Sequence, residues 1–196
     1  MTAPMDFDAL MDTYQKALRG RARRVLDQED RIPAAVLMPL CNVDGRVHIL
    51  LTERTDEVRT HQGQVSFPGG AEEEGDPDRL ATALRETHEE VGIVPDQVRL
   101  LGQFDDNYSV MGFHVSVFVG VVPYPGKLRL NSSEIRDAFY APIDLFTDDD
   151  NEEEDTMEYQ GKEYTIYRYR YHGHDIWGMT ARIIRDFVQK IVHAPQ

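Results

Sequence analysis

The stretch ALRETHEEVGI, residues 83–93, decides how the rest of the chain is read. At about 100° per residue, Leu84, Thr87 and Val91 share one helical stripe with Leu80 before them. Glu86, Glu89 and Glu90 stand at i, i+3 and i+4 and crowd a largely separate face. Such carboxylates repel one another unless something positive sits among them. Hard oxygen donors of this kind suit Mg²⁺ or Mn²⁺, with waters and substrate phosphates completing the shell. Arg85 is placed to orient a carboxylate or to hold a phosphate through paired hydrogen bonds. The same spacing also fits an exposed helix laced by pairs such as Arg85 to Glu89. His88 points away from the carboxylates and is read as structural or exposed.

The flanks frame this helix. Asp76 and Pro77 suit its N-cap and first position, and Gly92 with Pro95 beyond suits its end. Phe67-Pro68-Gly69-Gly70 interrupts the chain and predicts a loop whose backbone approaches something closely. Strands are expected at 34–40, 47–52, 98–104 and 113–122, with a turn over 42–45. Ser132 or Ser133 is expected to open a helical turn through Phe139. Residues 159–171 alternate like a hairpin turning at Gln160-Gly161. Helices are predicted at 5–19 and along the stripe Met179, Ile183, Ile184, Phe187, Val188 and Ile191. The GRARR segment, 20–24, reads as a solvated connection. Strands interleaved with helices at both ends and in the middle predict one domain over 1–196, an α/β/α sandwich with a mixed sheet.

Composition bounds the function. The 196 residues are 41% apolar and 29% charged, as in an ordinary globular chain. A net charge of −14 argues against a nucleic-acid-binding surface. Half of it comes from the seven acids of DDDNEEED, 148–155, which reads as a solvated, mobile loop. An anionic polyphosphate is repelled by such a chain unless cations or arginines intervene, so phosphate chemistry here calls for a divalent metal. No apolar run approaches the roughly 20 residues that span a bilayer. The acidic N-terminus does not resemble a signal peptide. A single cysteine, Cys41, lies in an apolar run and reads as core. The cytoplasm is the expected compartment. Oligomeric state is left open, a homodimer among the options.

Gly70, Arg85-Glu86, Glu89-Glu90, Gly92 and Ile93 resemble the signature box of the Nudix hydrolases. Two departures stand out: Thr87 occupies an aliphatic position, and the Gly70-to-Arg85 spacing is one residue longer, so no glutamate falls at the first acidic position. Asp76 is the nearest substitute, with helix capping as its other role. LLTERTDEVRTHQGQVSFPGG, 50–70, is similar to the extended motif of coenzyme A pyrophosphatases within that family, through Arg54, Arg59, Gly63, Phe67, Pro68, Gly69 and Gly70. The likeness continues through FDDNYSVMGFHV, Ser132-Ser133-Glu134 and Ile176 to Ala181.

That resemblance implies hydrolysis of the diphosphate of coenzyme A or an acyl-coenzyme A to adenosine 3′,5′-bisphosphate and 4′-phosphopantetheine. It implies a Mg²⁺ or Mn²⁺ cofactor held by Glu86, Glu89 and Glu90, with the Gly70 carbonyl. The general base is a box glutamate or Glu134. Arg54, Arg59, Phe67, Gly69 and Gly70 are the implied substrate-binding positions. Phe67 and the tyrosines from Tyr164 to Tyr171 are candidates for stacking on adenine, against sheet packing as the plainer reading. His172-Gly173-His174 reads as a turn. The rivals are a Nudix hydrolase of another diphosphate, such as ADP-ribose, and a non-catalytic nucleotide-binding module, which would be expected to lose box glutamates.

Overall fold

IPAAVLMPLCNV, Ile32–Val43, is apolar at nearly every position, the pattern of a strand covered on both faces. The computed structural model describes residues 6–27, 30–55, 63–124, 127–159 and 161–194. Its elements are α1 (Phe7–Gly20), β1 (Ile32–Val43), β2 (Arg46–Arg54), β3 (Val65–Ser66), β4 (Gly69–Ala71) and α2 (Arg79–Val91). There follow β5 (Arg99–Gln103), β6 (Asn107–Tyr108), β7 (Phe113–Val121) and β8 (Ile135–Pro142). A hairpin of β9 (Glu153–Tyr159) and β10 (Lys162–Tyr171), then β11 (His174–Trp177) and α3 (Gly178–Phe187), complete the order.

The main sheet runs β3-β2-β1-β7-β5, with β8 on β2, β4 on β1 and β6 on β7. Among the described residues, only the central β1–β7 pair is parallel; the other pairings are antiparallel. Along β1 the parity of the sequence assigns each side chain a layer. Ala34, Met38 and Leu40 face α1 and α3, whereas Ala35, Leu37 and Cys41 face α2 through Ala83 and Val91. The two faces of one strand thus seed two cores, giving the expected α/β/α layering around a mixed sheet. Phe187 of α3 joins the larger core, edge-on to Tyr14 of α1 at 5.8 Å and to Phe104 at 5.7 Å. Among the described residues no helix is long and apolar enough to cross a membrane.

Several expectations are corrected. The N-cap of α2 is Asp78, whose side chain accepts from Ala81 N at 2.8 Å, and Asp76 lies two residues outside the helix cap. Residues 135–142 form a strand, because β2 offers an edge whose pairing outweighs any local helical turn. The GRARR segment is not merely solvated: Arg21 meets the buried Asp105 at 2.5 Å and Arg23 meets the buried Asp106 at 2.6 Å. The acidic run is a loop only over its first half. Its second half enters β9, and Glu152 is an anchor that receives Arg185 Nε at 2.8 Å and the Tyr169 hydroxyl.

Candidate active site

The site is assembled where β1 changes partner. Residues 40–43 of β1 pair with β2, while residues 34–36 pair with β4, so the Gly69–Ala71 strand enters where β2 has diverged. Gly69 is required by backbone contact, whereas the neighbour of Gly70 is a side chain. A methyl at Gly69 would lie 2.4 Å from the Ala35 carbonyl oxygen, and one at Gly70 would lie 2.5 Å from Oε1 of Glu86. The expected close approach at Phe67-Pro68-Gly69-Gly70 is therefore between Gly70 and the first box glutamate, with part of the segment in a strand.

α2 supplies the carboxylates. Thr87, at the box position usually aliphatic, is fully buried, and its hydroxyl donates to the Ala83 carbonyl at 2.6 Å, so the departure leaves no polar atom stranded. His88 is exposed. The helix ends at Gly92 in the left-handed conformation (φ +78°), its N–H donating to His88 O. The last carbonyls would be orphans, but Glu90 O accepts from Asn131 N at 3.0 Å and Val91 O from Arg129 N at 2.9 Å. Those bonds dock the loop that carries Glu134. Asn131 Nδ2 then donates to Glu134 Oε1 at 3.2 Å, and Glu134 O accepts from Thr55 N at 2.8 Å. Glu134 thus joins the site through helix capping.

Two arginines bind this group together. Arg85 uses all five of its N–H donors: Nε and Nη2 form a fork on Asp76 at 3.0 and 3.1 Å. Its Nη1 reaches Glu86 at 3.0 Å and Glu89 at 2.9 Å, and Nη2 also reaches Ala71 O at 3.2 Å. No donor of Arg85 is left for a phosphate, so its part is to position carboxylates. Arg54 lies between Glu90 at 3.1 Å and Glu134 at 3.6 Å, and Glu53 pairs instead with Arg136 and His174; Asp56 and Glu57 lie outside the described residues. Gly69 N donates to the other Glu90 oxygen at 3.3 Å. The positive charge among the glutamates is thus guanidinium in this structure. Among the described residues, no three acidic, histidine or cysteine side chains stand close enough as placed to enclose an ion.

The donor set still fits a divalent cation. Among the described residues, Asp76, Glu86, Glu89, Glu90 and Glu134 are ion-paired only with Arg54 and Arg85, so negative charge among them is in local excess at full ionisation. Burial, with Glu86 adding repulsion against the help of Arg54, pushes the Glu90 carboxyl up to about 8. Burial likewise raises Glu86, opposed by Arg85. Asp76 behaves oppositely: its hydrogen bonds from Arg85 hold it well below the usual carboxylate range. It is neither the cap nor a free acid in place of the missing glutamate. Hydrogen bonds to the carboxylate favour charge at Asp76, whereas desolvation disfavours it at Glu86 and Glu90.

Phe67 is corrected as a stacking platform: it is 3% exposed and packed in the core toward α3. Arg59 lies outside the described residues. His172 and Gly173 take positive φ in the β10–β11 turn, as expected, but His174 bonds Glu53 at 2.8 Å and stacks on Phe139. Asp76 and Asn131, which fix Arg85 and Glu134, are the supporting residues whose roles periodicity did not expose.

Residues 31–160 match the NUDIX domain family model. This chain belongs to the Nudix hydrolases. It is 32% identical to an uncharacterized Nudix hydrolase NudL of Enterobacter sp. (strain 638), over 99% of both chains. It is 36% identical to the protein of that description from Photorhabdus laumondii, over 92% of this chain and 95% of that one. Among solved structures, a MutT/nudix family protein from Enterococcus faecalis covers 91% of this chain and 73% of its own, with a TM-score of 0.53 and 13% identity. The last comparison concerns fold alone. This Nudix hydrolase keeps all three box glutamates.

Proposed function

We propose that the enzyme hydrolyses the diphosphate bond of coenzyme A or acyl-coenzyme A, releasing adenosine 3′,5′-bisphosphate and 4′-phosphopantetheine. The observation that carries this reading is the 50–70 segment, whose residues match the coenzyme A pyrophosphatase motif and whose Arg54 stands beside Glu90 and Glu134. Glu86, Glu89 and Glu90, with the Gly70 carbonyl, would hold Mg²⁺ or Mn²⁺, which supplies charge neutralisation at the diphosphate and a more acidic water. Arg85 keeps Glu86 and Glu89 aimed. Arg54, whose contact with the partly exposed Glu134 is longer than that with the buried Glu90, is placed to exchange the former for a substrate phosphate. Glu134, partly exposed beside Arg54, is placed to take a proton from water.

Mass spectrometry of products from coenzyme A, ADP-ribose and NADH, with and without Mg²⁺, tests the substrate. Adenosine 3′,5′-bisphosphate formed fastest from coenzyme A supports the proposal; faster turnover of ADP-ribose sinks it. Glu86→Gln is expected to lower kcat by about 10²-fold or more with little change in melting temperature. Near wild-type turnover would remove the metal assignment. For Glu134→Gln, the expected outcome is loss of the acidic limb of the pH–rate profile; a retained limb moves the base to a box glutamate.

A further inference from the structure

Arg24, Arg31 and Arg182 reach one cavity of about 690 Å³ from three parts of the chain: the segment after α1, the entry to β1, and α3. Tyr108, Tyr164 and Asp30 line it with them. The described partners of these guanidiniums are neutral. Arg24 donates to the Asp106 carbonyl at 3.1 Å, Arg31 to the Ser109 carbonyl at 3.4 Å, and Arg182 to Asn107 Oδ1 at 3.2 Å. Among the described residues none of the three forms an ion pair with a carboxylate. Their neighbours Arg21 and Arg23 do, on Asp105 and Asp106. Arg182 is driven toward its neutral form first by burial and then by the like charge of Arg24, with Asp186 opposing.

A chain with 35 acids to 21 lysines and arginines has carboxylates in surplus, yet among the described residues none of these three guanidiniums is ion-paired with one. A purely structural arginine is ordinarily satisfied by a carboxylate or several carbonyls; convergent like charges instead favour an incoming anion. With Asp30 counted, the described lining is net positive, suited to a phosphate monoester dianion. The volume falls within the range of small-molecule sites. Tyr164 is 43% exposed, and its ring offers a stacking face beside the guanidiniums. The cavity lies at the starts of β1 and β7 toward α3, whereas the catalytic carboxylates sit on the α2 side.

We propose that this cavity is a second binding site, separate from the carboxylate edge, for a nucleoside monophosphate. The guanidiniums take the phosphate and Tyr164 carries the base. Calorimetry of the full chain with adenosine 5′-monophosphate, at low salt and with EDTA to silence metal chemistry, tests it independently of the hydrolysed substrate. Wild type and Glu86→Gln are expected to bind alike. Arg31→Gln and Arg182→Gln should each weaken binding at least tenfold at unchanged melting temperature, with Arg182→Lys recovering part of it. Adenosine and inorganic phosphate should each bind at least tenfold more weakly than the nucleotide. The proposal is overturned if wild type does not bind, if both glutamine variants bind as wild type does, or if inorganic phosphate binds as tightly as the nucleotide.

Discussion

Glu90 carries the sharpest consequence at the residue scale. It is 1% exposed, and burial raises its carboxyl to about 8 despite Arg54. A carboxyl whose folded value lies above its unfolded value stabilises fully at low pH, and that stability is lost as pH rises through the folded value. Metal-free enzyme should therefore lose stability between about pH 4.5 and about 8, by on the order of a few kcal/mol. Glu90→Gln should flatten that decline in chemical denaturation with EDTA present. An equally steep decline in the variant would assign it elsewhere. The spacing of Glu86, Glu89 and Glu90 was legible because a helix fixes which side chains are neighbours. Asp76 was legible as a residue but not as the partner of Arg85, since it precedes the helix and no period relates the two.

At the scale of elements, Gly70 belongs to β4 but is dictated by α2. Its Cβ position lies against the Glu86 carboxylate, so a single methyl displaces that side chain while the strand pairing stays intact. Gly70→Ala is expected to lower kcat at least tenfold at a stability cost of about 1–3 kcal/mol, read by steady-state kinetics and denaturant unfolding. Unimpaired turnover would mean that this contact does not set the position of Glu86. The regular elements were readable from alternation and from the helical stripes. β8 was not, because its strand state rests on β2, more than eighty residues earlier. Glu134 reaches the site by the same route, through bonds to the end of α2 that local sequence does not encode.

The charge of the whole molecule was legible as a total but not as an arrangement. Asp105 and Asp106 are each 2% exposed and fasten the segment after α1 to the sheet; Glu152 fastens α3 to the hairpin. Linear composition does not distinguish such anchors from solvated acids. The remaining acids of the 148–155 run have a different consequence through β9, which lies at the margin of the three-stranded sheet with Glu153, Glu154, Asp155 and Glu158 along it. An unpaired strand margin is a template for joining another chain, and a row of like charge keeps a second copy from docking there. Take the charges away and that electrostatic fence is dismantled. Light scattering should then report self-association of the Glu153→Gln, Glu154→Gln double variant, whereas Glu153→Lys and Glu154→Lys together should keep the protein dispersed.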